Sequence, residues 1–379
     1  MRVLHGPTNV GNQAWSLSSA ERVVAARDGL DFKTCLADFF PAGFGYGGDL
    51  VYRKHTVSLM SKARRAVEMM GYGLRAARDY DLFHLYFGKS FLNPIPQIFF
   101  GYPDIKVMDA LGRKCFMTFQ GCDARSRGAS KGRERSVCHE CTNVWCDEKL
   151  DRIKRKNVEL LAERCARVFC LNPDLVSQVP DAEFLPYCAY SPKPVCRSIG
   201  RRRFTVLHAP TDRDIKGTKY VLEAFAALQA EFDVDCVLVE RLSHREALSL
   251  YRRADLVVDQ LLAGWYGGVA VEVMQMGIPV IASICEEDLV HIPQGMKEDL
   301  PIIRATPEDI GEVLARAVSE PSRLSEIGMQ SKAYVEKWHD ALAIATAMIR
   351  VYHDPARSFW SEYMTLMGCS TRQNAVKGL

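Results

Sequence analysis

Nowhere in these 379 residues do apolar side chains run unbroken for long. A helix that crosses a bilayer needs about 18 or more in succession. The longest apolar stretches, 82–87 and 269–276, are interrupted by histidine, glycine or charge. The start reaches Gly6 and Pro7 after one short apolar run, without the apolar core of about 7–15 residues that marks an export signal. There is no internal repeat and no low-complexity tract. An excess of one charge is also missing: 49 Lys+Arg stand against 46 Asp+Glu, a formal +3, which excludes a globally basic nucleic-acid binder. The aromatics are not interleaved with the basic residues, so a base-stacking surface is unsupported and no nucleic acid is expected as a partner. Cysteine, by contrast, is plentiful. The 13 are an odd number, and without an export signal they argue against a disulfide framework and for a reducing compartment. The expected location is cytoplasmic.

Apolar residues make up 48% and charged residues 25%, an ordinary globular composition with room for two domains. Short apolar runs alternate with longer helical ones, the pattern of βαβ units and parallel sheets. Strands are expected at Arg2–Leu4, Asp81–Phe87 and Lys114–Phe119, with a helix over Ser16–Arg27. A second series starts at Phe204–His208 and continues through a helix over Tyr220–Ala230 and strands at Cys236–Val239, Leu256–Val258 and Pro279–Ala282. Between them Pro186–Gly200 carries three prolines and two cysteines without periodicity, which places the hinge near residue 195. A last helix is expected over Arg357–Met367.

The strongest local signal is the run from Gly264 to Ala282: a glycine-rich loop, a helix opening near Gly268, a C-capping Gly277 and a buried strand. Such a helix start offers free backbone N–H groups to an anion. Glu272, one turn inside, can accept hydrogen bonds from sugar hydroxyls. An ordinary αβ connection with a solvated Glu272 reads equally well from spacing alone. The segment resembles the C-terminal signature of retaining GT-B glycosyltransferases, the "glycosyl transferases group 1" family. There, two glutamates sit eight positions apart; here Glu272 matches the second and Gly264 takes the place of the first. Upstream, Leu207 to Thr218 resembles the family's strand followed by an Arg and a Lys-Gly pair, both cations on the donor diphosphate. Lys216-Gly217 matches. The usual Arg position, five before the Lys, is Thr211, and Arg213 lies three before.

The resemblance covers about Met1 to Asp340. It implies two Rossmann-like domains facing a central cleft: an acceptor domain over 1–195, a donor domain over 196–350, and a C-terminal helix and tail over 351–379. It places Gly11, in the loop after the first strand, beside the cleft. Donor contacts then fall to Arg213, Lys216, Gly217, Gly267, Gly268 and Glu272. His84 falls where relatives carry a cleft histidine, although a histidine amid apolar residues is more often satisfied in a core. Asp123, after the Lys114–Phe119 strand, is the candidate to orient an acceptor hydroxyl or act as base, with helix capping as the other reading.

One insert, about 122–156, stands outside the resemblance. It carries Cys122, Cys138, His139, Cys141 and Cys146. A Cys-x2-Cys pair lets two thiolates reach one tetrahedral metal, so Cys122, Cys138, Cys141 and Cys146 are candidates for a structural zinc, with His139 as another fourth ligand. An iron–sulfur cluster would use the same thiolates, and unliganded thiols are the bland reading. From Asp123 to Arg167 there are twelve Lys/Arg against eight Asp/Glu, either a solvated face or a rim for anionic lipid or acceptor. Lys54–Arg78 is a second basic amphipathic stretch, to rest on a membrane surface or pack on the sheet.

The expected function is transfer of a sugar from a nucleotide diphosphate sugar to a hydroxyl of a saccharide or lipid-linked acceptor, in polysaccharide or glycolipid biosynthesis, with retention and without a catalytic metal. Peripheral contact with the inner face of the membrane goes with that. A nucleotide-sugar epimerase of the same fold, or a catalytically silent GT-B binding protein, are the alternatives.

Overall fold

The computed structural model describes residues 1–52, 58–93, 101–143, 146–191 and 203–376, with side chains to residue 368. Two parallel sheets organise them. The first contains β1 (Arg2–Gly6), β2 (Lys33–Asp38), β3 (Leu50–Val51), β4 (Leu82–Tyr86), β5 (Lys114–Phe119), β6 (Arg167–Cys170) and β7 (Glu183–Phe184), in the order β3-β2-β1-β4-β5-β6-β7. Its crossovers include α1 (Gln13–Asp28), α2 (Leu59–Asp79), α3 (Pro103–Ala110) and α4 (Glu148–Arg164). The second contains β8 (Phe204–His208), β9 (Val234–Leu238), β10 (Leu256–Val258), β11 (Val280–Ala282) and β12 (Ile303–Arg304), in the order β12-β11-β10-β8-β9. Around it lie α5 (Thr218–Glu231), α6 (His244–Tyr251), α7 (Gly268–Gln275), α8 (Ile310–Ser319) and α9 (Pro321–Trp338).

The central strands are buried on both faces because helices cover both. All five residues of β4 are buried, the pattern of a parallel strand inside an α/β layer rather than of a sheet with one wet face. Strand order reverses between β1 and β4 in the first sheet and between β8 and β10 in the second. Open α/β sheets bind ligands at such reversals, beyond the carboxyl ends of the strands. Helix ends are sharp where residue type allows. After α7, Gly277 adopts φ 75°; its N–H donates to the Met274 carbonyl, and that of Ile278 to the Val273 carbonyl at 3.1 Å. This is a Schellman cap, which favours glycine.

After α9 the chain returns to the first half. Helix α10 (Ala341–His353) packs along α1, and α11 (Phe359–Val376) packs on α10. Glu183 at β7 receives the start of α11: its carboxylate accepts from the Phe359 N–H at 3.0 Å and the Trp360 N–H at 3.1 Å. A carboxylate there satisfies orphan donors and opposes the helix dipole. One apolar cluster runs from Val3, Leu17 and Phe169 through Tyr352 and Phe359 to Leu207 and Val273. The expected hinge near 195 and the start of the Lys54–Arg78 stretch fall outside the described residues.

The cysteine-bearing insert is not a free loop. It reaches across to the C-terminal half. Arg133 pairs with Asp288 and Arg135 with Glu308 at 2.7 Å. Glu140 accepts from Tyr220 Oη at 2.8 Å and pairs with Lys219 at 2.7 Å. Thr142 Oγ1 donates to Asp214 at 2.7 Å.

Candidate functional site

The loops beyond both strand reversals face each other across a cavity of about 840 Å³. From the N-terminal half it is lined by Val10, Gly11 and Gln13 after β1, Phe87 after β4, Gln120 to Cys122 and Arg125 after β5, and Tyr187. From the C-terminal half come Ala209 to Thr211 and Lys216 after β8, Val239 to Leu242 after β9, and Gln260, Ala263, Gly267, Gly268 and Glu272 after β10. Gly11 and Gly268 approach across the gap: a Cβ on Gly268 would stand 4.0 Å from the Gly11 carbonyl oxygen.

Lys216 closes a single helical turn, Arg213–Lys216, and only 7% of it is exposed. Its Nζ is 2.6 Å from Asp259 Oδ1, while Asp259 Oδ2 accepts the Gly267 N–H. A Cβ on Gly267 would lie 3.0 Å from that Nζ, so glycine lets the cation and the start of α7 come together. No side chain caps α7 at Gly267, which leaves its first amides for a ligand. One turn along, Glu272 accepts from His244 Nε2 at 2.7 Å. Burial disfavours the His244 cation, but the bond to Glu272 outweighs it and raises the pKa. His244 also fixes the approach of the N-terminal half: its N–H donates to the Phe44 carbonyl at 2.8 Å, and its ring lies 5.3 Å from that of Tyr46. The His244–Glu272 pair separates the main cavity from a second of about 400 Å³ bordered by Trp15, Tyr46 and Tyr190.

Gly11, Lys216, Gly267, Gly268 and Glu272 are thus gathered on one cavity. The other sequence candidates are not. Gly217 lies behind Lys216, with φ 71° and against Leu261 and Leu262. Arg213 is not among the residues that line the cavity; it forms a two-pronged bond at 2.8 and 2.6 Å to Glu240, which is. His84 is fully buried. Its Nδ1 meets Tyr352 Oη at 2.6 Å, and its Nε2 meets Thr118 Oγ1 at 2.7 Å. Burial holds its pKa well below the ordinary histidine value, with His5 adding to the effect. It belongs to a closed polar network with His5, Glu21 and Tyr86 beneath α10, where no cleft ligand reaches it. Asp123 lies behind the cavity wall, accepting from Gly121 N at 2.6 Å and from Gln120 N at 3.1 Å. Burial, only partly offset by those backbone bonds, raises its pKa to about 6. It shapes the loop that presents Gln120 and Gly121.

Gly264 explains why no glutamate stands eight residues before Glu272. It has φ 70°, and a Cβ there would approach Cys285 Cβ to 2.9 Å. At the cysteine corner of the insert all four thiols are free; Cys141 and Cys122 lie close enough to Cys146, and Cys138 to Cys122, to act on their charge. Among the described residues, however, no three His, Cys, Asp or Glu side chains converge as a metal-binding group. Four site residues lacked a sequence argument. Asp259 and His244 organise Lys216 and Glu272, while Gln13 and Tyr187 line the N-terminal wall. An acidic residue at the carboxyl end of a parallel strand was the available signal for Asp259.

No protein-family profile matches the sequence, and no curated protein does. Solved structures do match. Sucrose-phosphate synthase from Thermosynechococcus elongatus is 15% identical, with 93% of this chain and 98% of that one covered and a TM-score of 0.60. WaaG, a glycosyltransferase involved in lipopolysaccharide biosynthesis, is 12% identical over 93% and 100% of the two chains, with a TM-score of 0.56. HepE from Anabaena, solved with UDP and glucose, is 12% identical over 93% and 99%, with a TM-score of 0.53. The likeness extends over nearly the whole chain and establishes the fold as GT-B: two Rossmann-like domains with the cavity between them.

Proposed function

From a GT-B fold with an anion-ready wall in its cleft, we propose that the protein is a glycosyltransferase. It would move a sugar from a nucleotide diphosphate sugar to an acceptor hydroxyl in polysaccharide or glycolipid synthesis. The observation that carries the reading is the convergence of Lys216 and the uncapped start of α7, with Glu272 one turn along. A diphosphate next to a ribose needs that pairing: cation and amides for the phosphates, a carboxylate for the diol. HepE, solved with UDP and glucose, lends support, as does WaaG by its role.

In the transfer step the bond from the sugar carbon to the diphosphate oxygen breaks and the acceptor oxygen bonds to that carbon. The acceptor proton passes to the departing phosphate. Negative charge grows on the diphosphate, and fixed donors aimed at it stabilise the transition state by about 3–4 kcal/mol each. Lys216 is poised for this because Asp259 holds its Nζ in place. The reading requires no metal for transfer; a zinc at the cysteine corner, checked by elemental analysis, would be structural. Retention rests on the resemblance of 264–282, and NMR of the anomeric product tests it.

The first experiment is calorimetric titration with UDP and GDP, followed by a panel of their sugars for turnover. Lys216→Gln should weaken nucleotide binding about tenfold or more. Wild-type affinity in that variant refutes the assignment. Gly264 supports a second reading, a GT-B protein that binds nucleotide without transferring sugar, because the carboxylate expected near the donor sugar is absent. Tight nucleotide binding without turnover on any donor would favour it.

A further inference from the structure

Helix α2 carries two apolar stripes, and the fold uses one. Met69, Gly73, Ala76 and Ala77 are buried. Leu59 and Met60 are each 84% exposed and Val67 is 68% exposed, with Leu74 at 52%. At about 100° per residue these exposed side chains form a second stripe, roughly 110° around the axis from the buried one. Beside it runs a row of exposed arginines, Arg64, Arg75 and Arg78. The helix's two acids, Glu68 and Asp79, lie on the far side of that row, and Glu68 is paired with Arg64 at 2.9 Å. A surface helix of a soluble domain ordinarily turns polar side chains to water, and a contiguous exposed apolar patch marks an interaction site.

We propose that α2 lies on the surface of an anionic bilayer, with Leu59, Met60 and Val67 set among the acyl chains and the arginine row against the headgroups. Charge chooses the partner. The helix holds five cations to two acids, and three of the cations, Arg64, Arg75 and Arg78, run along one side of the apolar stripe, the geometry of an interfacial helix. No helix among the described residues is long and apolar enough to cross a membrane, so the helix rests in the interface rather than spanning it. The orientation has a consequence for the cleft: Leu59 and Lys62, in the first turns of α2, also line the main cavity. Docking would turn the cavity mouth toward the bilayer, where a lipid-linked acceptor would be met. The docking itself goes beyond the transferase reading and stands without it.

The test is sedimentation of the full-length chain with phosphatidylcholine vesicles, with and without phosphatidylglycerol, and with no nucleotide present. Each arginine near an anionic surface changes partitioning about fivefold, so the anionic vesicles should bind about a hundredfold better, and salt should weaken them. Leu59→Ser with Met60→Ser should reduce binding at least tenfold at an unchanged melting temperature, since both side chains are almost wholly in water. Val290→Ser with Met329→Ser, equally exposed on the C-terminal half (77% and 66%), should change nothing. The proposal is overturned if the full-length chain ignores anionic vesicles, as it would were α2 a protein-docking face. Equal binding by the Leu59/Met60 variant, or an equal loss in the Val290/Met329 variant, also overturns it. Nucleotide titration on the same preparations reports separately on the cleft.

Discussion

Replacing His84 by alanine separates a core histidine from a cleft histidine. The ring is fully buried and lies 4.5 Å from that of Tyr86. Its loss leaves the hydroxyls of Tyr352 and Thr118 each short of a partner they held at 2.6 and 2.7 Å. An orphaned buried polar group costs about 1–3 kcal/mol, and the vacated space adds about 1–2 kcal/mol. Because Tyr352 keeps its bond to Glu21 and Thr118 alone is fully orphaned, the sum is about 4 kcal/mol, or roughly 10 °C of melting temperature for a domain of this size. Tyr352→Phe keeps the ring and removes only the hydroxyl, which also donates to Glu21 Oε1 at 3.0 Å; it should cost about 2 kcal/mol. Because both residues share one network, the double variant should fall short of the summed losses by about 1 kcal/mol or more. Thermal melting gives the stabilities, and calorimetric titration of nucleotide gives the cleft. Affinity should hold in every folded variant. A His84→Ala protein that melts like the wild type but loses nucleotide binding or turnover would refute the placement and return His84 to the cleft.

Acid stability offers a second check. Burial depresses His208 and His339 to about 4, so the stability they confer is complete above their unfolded value and is withdrawn as pH falls toward 4. Asp38 and Asp123, raised by burial to about 6, act in the opposite sense, favouring the folded state as pH falls from 6 toward 4. Asp123→Asn removes one opposing group and should steepen the acid loss by about 1.4 kcal/mol per pH unit in that window; an unchanged slope in pH-dependent urea unfolding refutes this. Arg133→Ala strips the partner from Asp288, whose side chain is only 4% exposed, and should cost about 3 kcal/mol, read by melting and by faster proteolysis of the insert. Gly264→Glu should fail to restore a donor-sugar contact. Its φ of 70° and its 2.9 Å approach to Cys285 imply at least about 2 kcal/mol of destabilisation, and a variant of full stability and tighter donor binding would show the loop to be otherwise arranged.

Much of the sheet scaffold was legible because buried parallel strands are continuous apolar runs. Leu82–Tyr86, Lys114–Phe119 and Phe204–His208 stand where the pattern put them. Strand β2 was missed because Lys33, Thr34 and Asp38 dilute its apolar signal, and β6 because four residues carry little periodicity. Helix α8 had a usable stripe in Ile310, Val313, Leu314 and Ala317, and it went unread. In the cleft, the family resemblance of the glycine loops and the Lys-Gly pair, rather than their spacing alone, indicated Gly11, Lys216, Gly267 and Gly268, which line one cavity. For Arg213 the spacing from Lys216 does not tell which way a side chain turns, and in the fold it is held by Glu240 at the cavity's edge.

Local sequence determined the α/β alternation and a glycine-opened helix with no side-chain cap, since these depend on backbone preferences and apolar period within a few turns. Tertiary structure decided everything that needed two distant segments. It sent His84 into a network with Tyr352, 268 residues away, placed Asp259 against Lys216, and laid the cysteine insert across the C-terminal half. It also left one stripe of α2 bare. Period alone marks a helix face as apolar; only packing shows whether protein covers it.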